Sequence, residues 1–233
     1  MMLAAIIPVL DEEAAIADVV GRVRAYIPTV IVVDGNSMDR TAARATAAGA
    51  RVVVEARRGY GRAIQAGLAA LPVGTEIIVF VDGDGSDRVD LIPSVVAPLL
   101  AGTADFVHGT RTRGEREAGA LSLSQRLAGR LAALLLWRLY RVRYTDMSPF
   151  RAISRDALAR LGMQDQTFGW NLEMQMRAAA RGLRIVEVAV GQRRRQGGVS
   201  KVSGDWLAAV RASWVLAATL LRLASTLRRE GRT

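Results

Sequence analysis

The chain lacks cysteine altogether, and its 233 residues include a single histidine, His108. Without thiols there is no disulfide framework, no thiolate metal site and no cysteine nucleophile. One histidine excludes histidine-rich metal sites and disfavours a Ser-His-Asp triad. We therefore expect any metal site to use oxygen ligands, and we expect His108, which falls in a strand-like pattern, to be a core residue.

Lysine is nearly absent too, since Lys201 is the only lysine among 32 basic residues. The net charge is +10, but it is unevenly distributed. Residues 1–110 contain 9 basic and 13 acidic residues, net −4, whereas residues 111–233 contain 23 basic and 9 acidic residues, net +14. We therefore expect the second half to meet an anionic partner, which could be phosphate groups, a membrane surface or nucleic acid.

Long uncharged apolar runs are also missing, and none approaches the ~20 residues of a membrane-spanning helix. The apolar opening, residues 1–10, has no basic start and leads directly into the acidic residues 11–13. This pattern is typical of a first strand and not of a signal peptide. We expect a cytoplasmic protein that is at most peripheral to the cytoplasmic face of the membrane.

Strand-like and helix-like stretches alternate over the first 108 residues. Helical stretches separate the successive strands, and the strands are apolar runs without a polar face, which favours a parallel sheet covered by helices on both sides. The glycine-rich turn of a dinucleotide-binding domain is missing after the first strand. The predicted strands are residues 4–8, 29–33, 51–55, 76–81 and 105–108, and the first predicted helix is residues 11–26.

The alternation stops after residue 111. A charged loop and a loop over residues 145–151 flank a predicted helix, and Ser154 is expected to cap the N-terminus of a short helix. A basic, glycine-containing loop, residues 193–201, precedes an apolar C-terminal helix. The predicted helices of this half are residues 121–140, 171–181 and 205–222, and the predicted strand is residues 184–190.

Two acidic residues spaced by one residue, Asp82 and Asp84, follow the fourth predicted strand. In open α/β sheets, ligands bind outside the carboxyl ends of the strands. Two carboxylates there suit Mg2+ or Mn2+, although a plain strand-to-loop turn is the structural alternative. An EF-hand loop that began at Asp82 would need glycine at its sixth position and glutamate at its twelfth. These positions are Asp87 and Pro93, so an EF-hand is excluded.

Several segments together resemble the family 2 glycosyltransferases of GT-A fold: residues 7–13, 33–41, 59–67 and 82–84. In the second half, residues 146–151 and 195–201 resemble the D-x-x-S-G-F-R/K and R-x-x-G-x-S-K elements of the dolichyl-phosphate mannose or glucose synthase branch. Pro149 stands where that branch usually has glycine, and Asn36 stands where many relatives of the family have glycine.

The resemblance extends from residue 3 to about residue 204 and implies a GT-A fold, a mostly parallel sheet flanked by helices. It implies one domain over residues 1–233, with a nucleotide-sugar-binding half at 1–110, a basic acceptor-side half at 111–204, and an apolar helix with a basic tail at 205–233.

The implied activity is inverting, metal-dependent transfer of a hexose from a UDP- or GDP-linked sugar to a polyprenyl- or dolichyl-type phosphate, with Mg2+ or Mn2+ as cofactor. A small soluble hydroxyl or acid acceptor is the alternative. The alternative from a different functional class is a non-catalytic, basic adaptor that binds membranes or nucleic acid. Because the basic half lacks the interleaved aromatic residues of strand-binding surfaces, we expect no nucleic-acid partner.

The resemblance also assigns roles to particular residues. The implied metal ligands are Asp84 and Asp82. The implied contacts of the nucleotide sugar are Pro8, Leu10, Glu12, Asp34, Gly61, Arg62, Asp82 and Ser200. The implied catalytic residues are Asp146, Arg195, Lys201 and Glu173.

Two of the catalytic candidates are carboxylates with more than one interpretation. Asp146 would be the general base for a hydroxyl acceptor, whereas with an ionised phosphate acceptor it would orient groups or pair with arginine. Its structural alternative is an ion pair with Arg151 or Arg143. Glu173 is a second candidate base, and a solvated helix face is its structural alternative. Arg195 and Lys201 would clamp an anion.

The C-terminal helix contains an uncharged stretch, residues 212–221, beside Trp206 and Trp214 and several arginines. That composition could place it in a membrane interface next to a lipid acceptor. Core packing or a homodimer contact are the alternatives.

Overall fold

A central mixed sheet organises the part of the chain that the computed structural model describes, residues 1–117, 120, 123–196, 220 and 222–227. Seven strands in these residues form the sheet in the order β3-β2-β1-β4-β6-β5-β7. The strands are β1 (Met2–Val9), β2 (Thr29–Asp34), β3 (Arg51–Val54), β4 (Thr75–Phe80), β5 (Phe106–Thr110), β6 (Arg151–Ser154) and β7 (Ile185–Ala189).

Helices cover both faces of this sheet. The described helices are α1 (Ile16–Arg24), α2 (Thr41–Ala47), α3 (Tyr60–Ala69), α4 (Ile92–Leu100), α5 (Leu123–Tyr140), α6 (Arg155–Leu161) and α7 (Trp170–Ala180), with one 3-10 turn at Val89–Leu91 and a helical segment at 222–227. Among these helices, none combines the length and the apolar content that crossing a lipid bilayer requires. As predicted, Ser154 caps α6, because its side chain accepts a hydrogen bond from Ala157 N.

The first helix begins later than the sequence predicted. We expected it to start at Asp11, but α1 starts at Ile16. Asp11 has a φ of 54°, a left-handed conformation that does not continue a helix. Its backbone N donates to Ser37 Oγ and its carboxylate accepts from Met38 N. The loop after β1 is therefore tied to the loop after β2.

The sheet is mostly parallel, as predicted, but it contains one strand that the sequence did not reveal. β6 runs antiparallel to both β4 and β5 and lies between them. The sequence predicted a loop ending at Arg151, because a strand of four residues is too short for a periodic signal. Since β6 and β7 come from the second half, both halves of the chain contribute to one sheet.

Two hydrophobic clusters lie on opposite faces of the sheet. One packs α1 and α4 against strand residues such as Ile7 and Val79. The other packs α3, α6 and α7 against residues such as Ile6 and Phe80, and it also buries Leu223 and other leucines of the C-terminal stretch, Leu220 and Leu227. That described part of the chain is thus core. The predicted helix over 205–222 otherwise lies outside the described residues.

The glycine element at the start of α3 makes a close backbone contact with the second half of the chain. Gly61 N donates to Thr167 O at 3.1 Å, and Arg62 N donates to Gln166 O at 3.2 Å. A Cβ atom on Gly61 would lie 2.2 Å from Asp165 O, a distance at which the backbone must move. Only glycine therefore allows α3 to approach the loop that precedes α7.

Gly61→Ala should lower the free energy of unfolding by about 1–3 kcal/mol, because the added methyl group clashes with the backbone at Asp165. Gly21→Ala is the matched control, since Gly21 lies inside α1 with nothing near its Cβ position. Alanine there should raise the stability by up to about 1 kcal/mol. Urea unfolding of the two variants measures both effects, and equal stability of the two would contradict the packing described.

Candidate functional site

Three neighbouring parallel strands end at the same edge of the sheet. β1, β2 and β4 lie side by side, and their carboxyl ends bring the residues that follow them together. A cleft of about 280 Å³ opens at this edge. It is lined by Pro8, Val9, Leu10, Glu12, Gly35, Glu55, Arg57, Arg58, Gly59, Tyr60, Ala63, Asp82, Gly83, Asp84, Ser86, Arg111, Phe168, Gln192 and Arg195.

The loop after β4 presents Asp82 and Asp84 to this cleft. Asp82 N donates to Asp87 Oδ2 at 2.8 Å, and Ser86 N donates to Asp84 Oδ1 at 2.9 Å. A Cβ atom on Gly83 would lie 2.3 Å from a methyl carbon of Val9, so glycine is required where the loop crosses β1. Short-range hydrogen bonds and one glycine thus fix both carboxylates at the sheet edge.

Three carboxylates crowd together in this loop. Burial raises the pKa of Asp82 well above its usual range, and the negative charges of Asp87 and Asp84 raise it further. Burial also raises the pKa of Asp87 to about 7, with a further contribution from Asp84. The cluster is therefore short of positive charge, which is the electrostatic condition for binding a cation.

The described part of the basic loop, residues 193–196, lies against the loop that contains Asp82 and Asp87. Arg193 N donates to Ser86 O at 2.9 Å, and Gln196 N donates to Asp84 O at 3.0 Å. The guanidinium of Arg195 forms an ion pair with Glu12, and its Nη1 lies 3.7 Å from Asp84 Oδ2. Arg195, the predicted anion clamp, is thus beside the acidic residues in the cleft. Ser200 and Lys201 lie outside the described residues.

Asp146 holds a second arginine of the cleft in place. Its carboxylate accepts hydrogen bonds from Arg111 Nε at 2.7 Å, Arg111 Nη2 at 2.9 Å and Arg111 N at 3.0 Å. Burial opposes ionisation, but the hydrogen bonds and the charge of Arg111 outweigh it and lower the pKa of Asp146 to about 2. The proposed pairing with Arg143 or Arg151 was therefore wrong, because the partner is Arg111.

Glu173 is neither solvated nor among the residues that line the cleft. Its side chain is 1% exposed and pairs with Arg177 at 2.8 Å. It also accepts hydrogen bonds from Gln164 N and from Asp165 N, the latter at 2.7 Å. The interpretation as a solvated helix face was wrong, because this carboxylate is buried under the loop that precedes α7.

His108 is a core residue, as the sequence predicted. It is fully buried in β5, and burial lowers its pKa to about 3. Its Nε2 lies 3.0 Å from the backbone oxygen of Asp146. At neutral pH it is therefore a neutral ring in the core and carries no charge toward the cleft.

The predicted contacts of the nucleotide sugar divide into two groups. Pro8, Leu10 and Glu12 line the cleft together with Asp82. Asp34 is buried at the end of β2, where Ser37 N donates to it at 3.2 Å. Asn36, two residues after Asp34, has a φ of 66°. Asparagine tolerates this left-handed conformation better than most other non-glycine residues.

The other predicted contacts belong to the glycine element. Gly61 and Arg62 are not among the residues that line the cleft, because their backbone N–H groups face the loop at 166–167. The part of the glycine element that does line it is Gly59 and Tyr60. A contact of Gly61, Arg62 or Asp34 with a nucleotide sugar therefore stays a prediction.

Sequence reasoning did not single out two aromatic residues of the cleft. Tyr60 and Phe168 stack with ring centroids 6.4 Å apart and an interplanar angle of 26°. They are more than 100 residues apart in the chain, so no local pattern joins them. The only available signal was the position of Tyr60 inside the glycine element.

The chain is similar in sequence to known glycosyltransferases. The family model described as glycosyl transferase family 2 matches residues 4–162. An uncharacterized glycosyltransferase of Mycobacterium tuberculosis is 39% identical over 204 residues, which cover 86% of this chain and 89% of that protein. The dolichyl-phosphate hexose transferase of Haloferax volcanii is 32% identical over 200 residues, which cover 84% of each chain.

A solved structure resembles the fold as well. Glucosyl-3-phosphoglycerate synthase from Mycobacterium tuberculosis, in complex with Mn2+, UDP-glucose and phosphoglyceric acid, superimposes with a TM-score of 0.76 at 25% identity. The match covers 96% of this chain and 80% of that chain. In complex with phosphoglyceric acid alone, the same synthase gives a TM-score of 0.78.

Asp146→Asn should lower the free energy of unfolding at neutral pH by roughly 2 kcal/mol, because the folded pKa of about 2 lies below the ordinary value of 3.8. A lowered folded pKa stabilises the fold above the unfolded pKa, and this contribution is lost as the pH falls through 2. The difference between wild type and variant should therefore shrink below about pH 4. Urea unfolding across this range measures it.

Asp156→Asn is the control, since Asp156 is exposed in the first turn of α6. It should change the stability much less than Asp146→Asn. A wild-type advantage over Asp146→Asn that is the same at every pH would contradict the ion pair with Arg111.

Proposed function

The chain belongs to glycosyl transferase family 2, and we propose that it transfers a hexose from a UDP- or GDP-linked sugar to the phosphate group of a polyprenyl phosphate. One observation carries the proposal: a single cleft combines the carboxylates of Asp82 and Asp84 with the guanidinium groups of Arg111 and Arg195. Carboxylates hold divalent cations, and arginines bind phosphates through paired hydrogen bonds.

The acidic residues fit Mg2+ or Mn2+. Within the described residues, no group of three or more acidic or histidine side chains forms a complete set of protein ligands for a metal ion. Mg2+ does not need one, because it usually binds through one or two carboxylates, waters and substrate phosphates. Asp84 and Asp82 would hold the ion, and when bound it would stabilise negative charge on the leaving diphosphate. The synthase that resembles this chain has been solved with Mn2+ and with Mg2+, each with UDP.

The donor would lie along the carboxyl ends of β1 and β2. Pro8, Leu10 and Glu12 of the loop after β1 line this part of the cleft together with Gly35. The nucleoside would contact these residues, and the diphosphate would reach the loop after β4. Transfer would be one displacement, in which an acceptor oxygen bonds to the anomeric carbon while the bond from that carbon to the diphosphate breaks. The configuration at that carbon inverts.

The side chains favour an acceptor that is already ionised. A hydroxyl acceptor needs a general base, whereas a phosphate oxygen does not. Asp146 is engaged with Arg111, and its pKa of about 2 makes it a weak base. Glu173 is buried in an ion pair with Arg177 away from the lining residues. Both predicted bases thus support other groups, and we infer that Arg111, which is held by Asp146, and Arg195, which is paired with Glu12, bind the acceptor phosphate.

The relatives support two kinds of acceptor that carry a phosphate group. The dolichyl-phosphate hexose transferase of Haloferax volcanii, at 32% identity, is named for a lipid phosphate. The glucosyl-3-phosphoglycerate synthase structures contain phosphoglyceric acid, a small phosphorylated acid. We place the lipid phosphate first, because the 32% identity to the hexose transferase extends over 84% of this chain, whereas the 39% identity to a glucosyl-3-phosphoglycerate synthase of Mycolicibacterium paratuberculosis extends over 44% of it. A small phosphorylated acid is the second candidate.

Transfer of labelled hexose from UDP-glucose and from GDP-mannose, with Mn2+ present, tests the acceptor. We expect label in undecaprenyl phosphate and none in undecaprenol, because the alcohol has no ionised oxygen to attack the sugar. Phosphoglyceric acid and glyceric acid form a second matched pair. Label in phosphoglyceric acid alone would contradict the lipid phosphate and select a small acid that also carries a hydroxyl group, and label in undecaprenol or glyceric acid would contradict the need for a phosphate on the acceptor.

A further inference from the structure

An exposed aromatic side chain stands at the mouth of the cleft. Phe168 is 61% exposed, yet it stacks on Tyr60, whose own ring is partly buried. Both residues line the cleft that contains Asp82 and Arg111. Single exposed apolar side chains are common on protein surfaces, but an aromatic pair at the rim of a cleft is a candidate ligand contact.

The loop that carries Phe168 is held firmly. The Asp165 carboxylate accepts hydrogen bonds from Thr167 N at 2.7 Å and from Thr167 Oγ1 at 2.8 Å. Glu173 accepts from Asp165 N, and Gly61 N donates to Thr167 O. Because hydrogen bonds hold the residues that precede Phe168, the loop conformation keeps its side chain exposed.

The same loop is joined to the C-terminal part of the chain. Arg222 Nη2 donates to Asp165 Oδ2 at 2.9 Å, and Leu223 and Leu227 next to it are buried in the hydrophobic cluster that also includes Tyr60 at its edge. The aromatic pair is thus continuous with apolar packing on one side. On the other side it borders the charged groups of the cleft.

Tyr60 connects these two environments. Burial raises the pKa of its hydroxyl group, with a further contribution from the charge of Asp82. Its ring face packs toward Phe168 at the rim. A ligand that follows Tyr60 outward from the acidic loop would therefore pass from charged groups to an apolar surface.

We propose that Phe168 and Tyr60 form the contact for the first apolar units of the acceptor chain, directly behind its phosphate. This inference rests on the proposed function. A polyprenyl phosphate has one ionised end and a hydrocarbon chain, which matches a cleft with arginines inside and an aromatic pair at its mouth. A nucleobase also stacks on aromatic side chains, but we place the nucleoside beside Pro8, Leu10 and Gly35, which leaves the exposed rim at Phe168 to the hydrocarbon chain.

The test compares Phe168→Ala and Phe168→Leu with wild type. Tyr26→Ala is the matched control, because Tyr26 is an exposed aromatic residue that is not among the residues lining the cleft. The acceptors are undecaprenyl phosphate, the ten-carbon geranyl phosphate and phosphoglyceric acid. For each one, KM and kcat are measured, and UDP binding with Mn2+ is followed by calorimetry.

We expect Phe168→Ala to raise KM for both prenyl phosphates about tenfold while kcat changes less than about twofold. Phe168→Leu should restore most of the affinity, because leucine keeps an apolar surface. UDP affinity should be unchanged in both variants, and Tyr26→Ala should behave as wild type. Any activity toward phosphoglyceric acid should not respond to Phe168, since that acid has no hydrocarbon chain.

Two results would overturn the inference alone. The first is an unchanged KM for prenyl phosphates in Phe168→Ala. The second is a weakened binding of UDP, which would assign the aromatic pair to the donor. If wild-type protein transfers hexose to phosphoglyceric acid and to neither prenyl phosphate, the proposed lipid acceptor is wrong and this inference fails with it.

Discussion

The crowding of three carboxylates at the end of β4 is the constraint on which the rest of the site depends. Burial, and in addition the negative charges of neighbouring carboxylates, raise the pKa values of Asp82 and Asp87 in this loop. The nearby positive charges come from the second half of the chain, as Arg111 and Arg195. The acidic first half and the basic second half therefore meet at this point.

The second half of the chain completes the sheet and holds side chains of the cleft in place. β6 and β7 complete the sheet that places β4, and Asp146 fixes Arg111 through its carboxylate. Glu173 fixes the loop before α7, which in turn contacts the glycine element of α3. Residues that resemble catalytic acids in the sequence thus act here as partners of arginines and backbone N–H groups.

The sequence predicted the strands of the first half because their runs of β-branched residues are long and uniform. It also predicted that Asp82 and Asp84 would follow β4 at the sheet edge. It missed β6, a four-residue strand. It also missed the pairing of Asp146 with Arg111, 35 residues away, and the stacking of Tyr60 on Phe168. Such contacts depend on the tertiary fold, and no local pattern encodes them.

Calorimetric titration of UDP and GDP into the protein, with and without Mn2+, tests the central claim most directly. The claim is that the carboxylates after β4 bind a nucleoside diphosphate through a divalent cation. We predict that Mn2+ raises the affinity for one of the two nucleotides at least tenfold, about 1.4 kcal/mol. Asp84→Asn should abolish that increase, and the exposed-surface variant Asp156→Asn should retain it. Equal nucleotide affinity with and without Mn2+, or an unchanged increase in Asp84→Asn, would contradict the account.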